Sequence, residues 1–356
     1  MALLELIYGK YKTISIVGMA KNSGKTVTLN FLIEEAINKN ITIGVTSTGR
    51  DGEPLDLVTE TEKPKIFVEK GTLVATTTDL LPMGDAKVEI LEVTDYRTPL
   101  GFIVIGRVKD KGYIQIAGPQ RSSEIKKVSE RMLQLGAEFV IIDGAIDRKS
   151  SAAPSISEST IVSTGAVLSR DINKVIEETL HLVNLFKLSK VEDKEVRLLT
   201  NKLIREGKVA IIDSTKNMDN LYEIDERYKV NELKVKTALN CGNIIGENIE
   251  ENTKYIVLPG SLVKKTVEDI IQTSKKYKSV KIIVEDGTKI FIKPKDWLKF
   301  QKQGIEVEVL NDLNLIALTI NPYAPEGYFF EPEKFLTQMR TYIKDLPVYD
   351  LLLGGI

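Results

Sequence analysis

The stretch Thr13–Asn38 constrains this chain more than any other. Thr13–Gly18 (TISIVG) is a short apolar run rich in isoleucine and valine, the pattern of a buried strand. A loop of small residues follows, and then Lys25–Asn38, in which Val27, Leu29, Leu32, Ile33, Ala36 and Ile37 fall at mixed helical spacing. A second apolar run, Ile41–Thr46, comes next. Strand, glycine loop, helix and strand make a βαβ unit, whose parallel strands need cover on both faces. An α/β fold with a mostly parallel sheet is therefore expected.

The pattern then changes. Lys65–Val68, Thr72–Thr76, Lys87–Val93, Gly101–Val108 and Tyr113–Ile116 read as short strands separated by turn residues, and Asp110-Lys111-Gly112 fits a tight hairpin loop. This is a β-rich insertion at about residues 60–118, mostly antiparallel, or an extension of the first sheet. A helix is predicted over Glu124–Leu135, with Ile125, Val128, Met132 and Leu135 on one face. Phe139–Asp143 (FVIID) and Ser159–Leu168 read as strands, and Asp171–Leu185 as a helix. Ser189–Arg197 is polar and suggests a boundary, giving domains 1–190 and 191–356. In the second half, strands are expected at Val209–Asp213, Tyr255–Leu258, Val280–Val284, Lys289–Ile292, Ile305–Leu310 and Leu315–Ile320. Helices are expected at Ser261–Thr273, Asp296–Gln303 and Glu333–Ile343, so the second domain also reads as α/β.

Chemistry is concentrated in Gly18-Met19-Ala20-Lys21-Asn22-Ser23-Gly24-Lys25-Thr26. Gly24, Lys25 and Thr26 match the second half of the phosphate-loop pattern G-x-x-x-x-G-K-[ST]. The pattern's first glycine would fall at Met19, whereas the glycine present is Gly18, one residue earlier. Each matching residue has a physical task. Gly24 lets backbone N–H groups approach phosphate oxygens, the helix N-terminus adds free donors and positive dipole character, Lys25 neutralises the β- and γ-phosphates, and the Thr26 hydroxyl coordinates Mg²⁺. Lys21 is a further cation within the loop, and Asn22 and Ser23 complete the candidate nucleotide-binding set. The plainer alternative is a strand-to-helix turn capped by Ser23, with Lys25 in solvent.

A phosphate loop needs an acidic partner for the metal. Asp143 ends the run Phe139–Asp143 and precedes Gly144, the Walker B form. Thr26 and Asp143 are thus the candidate metal ligands, and Lys25, Asp51 and Asp143 the candidate catalytic residues. Asp51 and Glu53 follow the second strand in TSTGRDGE, where a carboxylate would face the metal or attacking water, although Asp51-Gly52 is equally a turn signal. Arg148 and Lys149 lie in the loop after Asp143, as phosphate sensors or as solvated charges. Thr200-Asn201-Lys202-Leu203 begins like the guanine-reading N-K-x-D motif, but Ile204 stands where its sequel needs aspartate. ATP is therefore the nucleotide expected, by exclusion.

Composition narrows the function classes. The 356 residues carry 49 Lys+Arg against 50 Asp+Glu, a net charge of −1, so a dominant nucleic-acid footprint is not expected. With a single histidine, His181, and a single cysteine, Cys241, paired-His metal sites, Cys-rich zinc sites and an intramolecular disulfide are all excluded. His181 sits among Leu180, Leu182 and Val183 and reads as a packed or surface residue, and Cys241 as structural. Met1–Ile7 (MALLELI) lacks a basic start and a cleavage site, and no apolar run approaches the roughly 18 residues of a membrane helix. A cytoplasmic protein without membrane contact is the expectation.

The string VGMAKNSGKT (17–26) resembles the P-loop subunit of lysine 5,6-aminomutase reactivases. STGRDGE (47–53), IIDGAIDRKSSAAP (141–154), STGA (163–166) and NPYAPEGY (321–328) extend that resemblance over most of the chain. It implies an ATP-dependent chaperone that loosens a cobalamin-dependent aminomutase and releases its damaged cofactor, working with a MutS-like ATPase subunit. By the same resemblance Lys25 and Thr26 bind nucleotide and Mg²⁺, and Asp143 is the Walker B acid. The fold expected is a P-loop NTPase core nearer to the dethiobiotin synthetase and MinD-like branch than to RecA-like motors, a fold-level analogy resting on the early, short second strand that ends in a threonine and acidic residues. Two other functions suit the same loop: a small-molecule ligase or kinase of the dethiobiotin synthetase-like branch, and a nucleotide-gated binding module with little turnover.

Overall fold

The computed structural model describes residues 2–49, 66–144, 156–215, 227–235 and 240–353. Thr13–Gly18 is a strand, β1, buried beyond its first residue. Helix α1, Lys25–Asn38, turns Thr28, Leu29, Leu32, Ile33 and Ala36 inward, a spacing that lays one helical face on the sheet. Val27 is exposed, and Thr28 beside it takes the inward position.

The chain continues through β2 (Ile43–Ser47), β3 (Ile66–Val68), β4 (Leu73–Thr77), β5 (Lys87–Thr98), β6 (Gly101–Asp110) and β7 (Gly112–Ile114). Helix α2 (Ser122–Gln134), β8 (Phe139–Gly144), β9 (Ser159–Gly165) and α3 (Ile172–Phe186) follow. β9 is shorter than the expected Ser159–Leu168, since Ala166–Leu168 winds into a 3₁₀ turn. Next come α4 (Lys194–Arg205), β10 (Ala210–Ser214), β11 (Tyr228–Glu232), α5 (Gly242–Glu247), β12 (Thr253–Val257), β13 (Leu262–Val263), α6 (Lys264–Thr273), β14 (Lys281–Val284), β15 (Ile290–Phe291), α7 (Pro294–Lys302) and β16 (Glu306–Val309). The chain closes with β17 (Leu315–Asn321), α8 (Pro332–Tyr342) and β18 (Val348–Asp350).

Nine strands form the main sheet, in the order β18-β17-β9-β1-β8-β2-β4-β6-β5. From β18 to β4 every neighbouring pair is parallel, and β6 and β5 add on antiparallel. The expected β-rich insertion is therefore mainly an extension of the sheet, while β3 and β7 make a small antiparallel pair. The parallel strands are apolar on both faces because both are covered. Ile14, Ile16, Ile43, Val45 and Ile141 pack with Leu29, Leu32 and Ile33 of α1. Leu73, Val140 and Ile142 pack on the other face with Ile125, Val128 and Met132 of α2. Successive residues of β8 thus serve opposite cores, the period-two rule of a strand.

The molecule divides into two units, Met1–Leu180 with Asn314–Ile356, and His181–Leu313. The sequence reading, with one boundary and domains 1–190 and 191–356, gives β17 and β18 to the second domain. Instead β17 pairs with β9 and β18 with β17, both in the first sheet. The reason is hydrogen bonding: a buried apolar strand such as LIALTIN must satisfy its backbone in a ladder, and β9 offers a parallel edge. The second unit is α/β as expected. Its five-stranded sheet runs β11-β10-β12-β14-β16, with β12, β14 and β16 parallel and β10 antiparallel to both neighbours. Helix α4, in a stretch that reads as a polar boundary, buries Val196, Thr200 and Leu203, and Val196 and Leu203 pack with Ala210, Ile212, Val257 and Ile283. Among the described residues no helix is long and apolar enough to cross a membrane.

Candidate functional site at the carboxyl edge of the main sheet

The strand order reverses at β1. The connection from β1 through α1 leads to β2 on one side, whereas β8 is followed by β9 on the other. In open α/β sheets the crevice at such a switch point, outside the carboxyl ends of the strands, is where ligands bind. The carboxyl ends meeting here are Gly18 of β1, Ser47 of β2, Asp143 and Gly144 of β8, Gly165 of β9 and Asn321 of β17.

The loop between β1 and α1 is tied down at several points. The Met19 N–H donates to the Ser163 carbonyl at 2.8 Å, and the Ser23 N–H to the Ala20 carbonyl at 3.3 Å. Asn22 has φ 61° and Gly24 φ 96°, a left-handed pair of which the second strongly favours glycine. Gly24 is the N-cap of α1, so the helix's first N–H groups, which lack intrahelical acceptors, follow it directly. The displaced glycine has a steric explanation. A Cβ on Gly18 would stand 2.5 Å from Ser23 Oγ, and the Ser23 side chain is buried. The loop folds back over Gly18, so glycine is needed one position before the regular pattern places it.

Lys25 and Asp143 meet. In the β1–β8 register Ile16 lies beside Asp143 and Val17 beside Gly144. With the two strands adjacent and parallel, the Asp143 carboxylate emerges next to the first residue of α1. Lys25 Nζ lies 2.8 Å from Asp143 Oδ1 and donates to the Gly144 carbonyl at 3.0 Å. The two side chains are 26% and 21% exposed, partly shielded yet open to an incoming group. Thr26, the next residue of α1, is partly exposed, while Lys21 and Asn22 are exposed on the loop. Among the described residues there is no group of three or more His, Cys, Asp and Glu side chains able to hold a metal. Among the described residues, Asp143 and the Thr26 hydroxyl are the oxygen donors that the sequence singles out for a cation at this edge. That donor set fits Mg²⁺, which binds through one or two carboxylates together with phosphate oxygens and water.

The end of β2 abuts the same place. Ser47 Oγ donates to the Asp143 carbonyl at 3.1 Å, and the Thr48 N–H donates to it at 2.9 Å. Asp51 and Glu53 lie outside the described residues, as do Arg148 and Lys149. The other singled-out residues belong elsewhere. His181 Nε2 is 2.8 Å from the Ile292 carbonyl and its ring packs edge-on against Trp297. Cys241 is buried, and burial pushes its thiol up to about 11. Asn201 and Lys202 lie inside helix α4 rather than on a loop.

Other residues of the site gave only a weak sequence signal. Thr28 of α1, Ser163 of β9 and Thr319 of β17 form a buried triangle of hydroxyls, with sides of 2.8, 2.8 and 3.2 Å. Asn321, at the end of β17, donates from Nδ2 to the Asn22 carbonyl at 3.0 Å. Small hydroxyl residues in the apolar runs of β9 and β17 were the one hint, since a buried polar group must have a partner. Searches against protein families, curated proteins and solved structures found no match for this chain.

Proposed function

We propose that the chain is a P-loop NTPase that binds ATP on the Gly18–Thr26 loop and hydrolyses it with Mg²⁺. The observation that carries this reading is the meeting of Lys25 and Asp143 at 2.8 Å, at the switch point of a parallel sheet. A loop lysine that merely faced solvent would need no carboxylate at the end of the adjacent strand.

In this reading Lys25 turns from Asp143 to the β- and γ-phosphates, and the N–H groups that open α1 hold phosphate oxygens. Asp143, released from its cation, and the Thr26 hydroxyl would hold Mg²⁺, which would supply positive charge against the charge that develops on the phosphates. Water attacks the γ-phosphorus, the bond to the bridging oxygen breaks, and ADP and phosphate leave. Asp51 is proposed to face the attacking water or the metal, from the segment that follows β2. ATP is preferred over GTP because the N-K-x-D-like stretch lacks its aspartate and lies within α4.

The resemblance to reactivase P-loop subunits supplies the proposed role: hydrolysis drives release of damaged cobalamin from an aminomutase, in concert with a MutS-like ATPase. The lone histidine is engaged by the Ile292 carbonyl, which favours action through protein contacts over direct ligation of the cofactor's cobalt. The test is ATP binding and phosphate release by the pure protein, alone, with an adenosylcobalamin-dependent aminomutase, and with small metabolites. Stimulation by the aminomutase is expected. Stimulation by a metabolite alone would replace the reactivase with a ligase or kinase, and tight binding without turnover would leave a nucleotide-gated module. Lys25→Ala is expected to abolish ATP binding, and intact affinity in that variant would refute the loop assignment itself.

A further inference from the structure

We infer that Asn321 is a positioning residue for the Gly18–Thr26 loop, holding its backbone in the shape that receives a phosphate; the inference rests on the nucleotide reading of that loop. The Asn321 side chain is oriented from both ends. Its Oδ1 accepts from the Tyr323 N–H at 3.1 Å, which directs Nδ2 toward the loop, where it donates to the Asn22 carbonyl at 3.0 Å. The peptide so pinned is that of Asn22, one of two non-glycine residues with positive φ among the described residues, an uncommon conformation that asparagine adopts more readily than most side chains.

Packing acts on the same segment. A Cβ on Gly24 would stand 3.0 Å from the Asn321 Cβ, so the loop is seated directly on this side chain. Below it, Thr28 is joined through hydroxyls to Ser163 and to Thr319, two residues before Asn321 on the same strand. The first turn of α1 and the loop that precedes it are thus both referenced to β17. Donor and acceptor are 299 residues apart, and the chain passes through the whole second unit before Asn321 arrives. One neutral hydrogen bond contributes only about 1 kcal/mol net to a fold. A loop that offers several N–H groups at once is far more sensitive to the loss, since every donor must point at the ligand together.

The experiment uses the full chain as wild type, Asn321→Ala, Asn321→Asp and Lys25→Ala. Hydrogen exchange of the Met19–Thr26 amides is measured without nucleotide, and affinities for Mg-ATP, Mg-ADP and Mg-GTP are measured at equilibrium. Faster loop exchange is expected in both Asn321 variants, with the amides of β8 unchanged. ATP and ADP are expected to bind about tenfold more weakly to Asn321→Ala, and more weakly still to Asn321→Asp, whose oxygens would face the Asn22 carbonyl. The ratio of ATP to GTP affinity is expected to stay constant. Wild-type affinity in Asn321→Ala, while Lys25→Ala loses ATP, overturns the positioning role and leaves the nucleotide reading standing. A changed ATP to GTP ratio overturns it in favour of a base contact. If the wild type binds neither nucleotide, the nucleotide reading falls and takes this inference with it.

Discussion

Asp143 is the residue on which the proposed chemistry turns, because it faces Lys25 across 2.8 Å and is one of two protein oxygen donors assigned to Mg²⁺. Asp143→Asn keeps the size and the hydrogen-bonding shape but removes the charge. It is expected to retain ATP binding and to lose at least about 100-fold in phosphate release, the scale of losing one electrostatic contact to the transition state. Near-normal turnover would remove Asp143 from the mechanism. A second carboxylate, Asp286 in the other unit, shows burial outweighing the pull of a nearby cation, Lys289. It accepts from the Thr288 N–H and hydroxyl, and burial raises its pKa above the usual 3.8. The folded protein therefore holds this proton at pH values where the unfolded chain has released it. Stability from this residue is present at low pH and falls as pH rises from the unfolded value through the raised folded one. Asp286→Asn should raise the thermal midpoint at pH 7 and have little effect at pH 3; an equal shift at both pH values would refute the assignment.

At the scale of elements, β1, α1 and β8 were legible because each carries one periodicity and one job. The TISIVG and FVIID runs are continuous and apolar since both faces are covered. Helix α4 was hidden because its composition is polar, yet its signals are local. Asp193 caps it by accepting from the Glu195 and Val196 N–H groups at 2.9 and 3.2 Å, and Val196, Thr200 and Leu203 recur on one face. Asp193 also accepts from Arg227 and from the Tyr228 hydroxyl. Asp193→Ala should lower stability by about 1 to 2 kcal/mol, measured by denaturant unfolding. No change would mean that the cap contributes nothing beyond what solvent supplies.

For the molecule as a whole, the decisive fact is that the unit carrying the candidate site is built from two separated pieces of chain. β9 would become an edge strand without β17, and the loop would lose Asn321 and Thr319. A chain ending at Leu313 is therefore expected to lose ATP binding even though every residue of the Gly18–Thr26 loop and Asp143 is present. Equilibrium binding with a fluorescent ATP analogue reads this directly, and wild-type affinity in the truncated chain would show the site to be complete without its returning strands.

The amino-acid sequence by itself determined the α/β class, the glycine loop between strand and helix, and the acid at the end of Phe139–Asp143. Those features rest on short-range periodicity and on side-chain chemistry that is readable in place. Tertiary structure decided the rest. It set the pairing of β8 directly beside β1, the return of β17 and β18 to the first sheet, and the convergence of Ser163, Thr319 and Asn321 on the loop. A strand's backbone can pair with any suitable edge, and no local residue names that edge. The displaced Gly18 joins both levels: its position was visible in the sequence, and its cause, the buried Ser23 side chain folded over it, exists only in three dimensions.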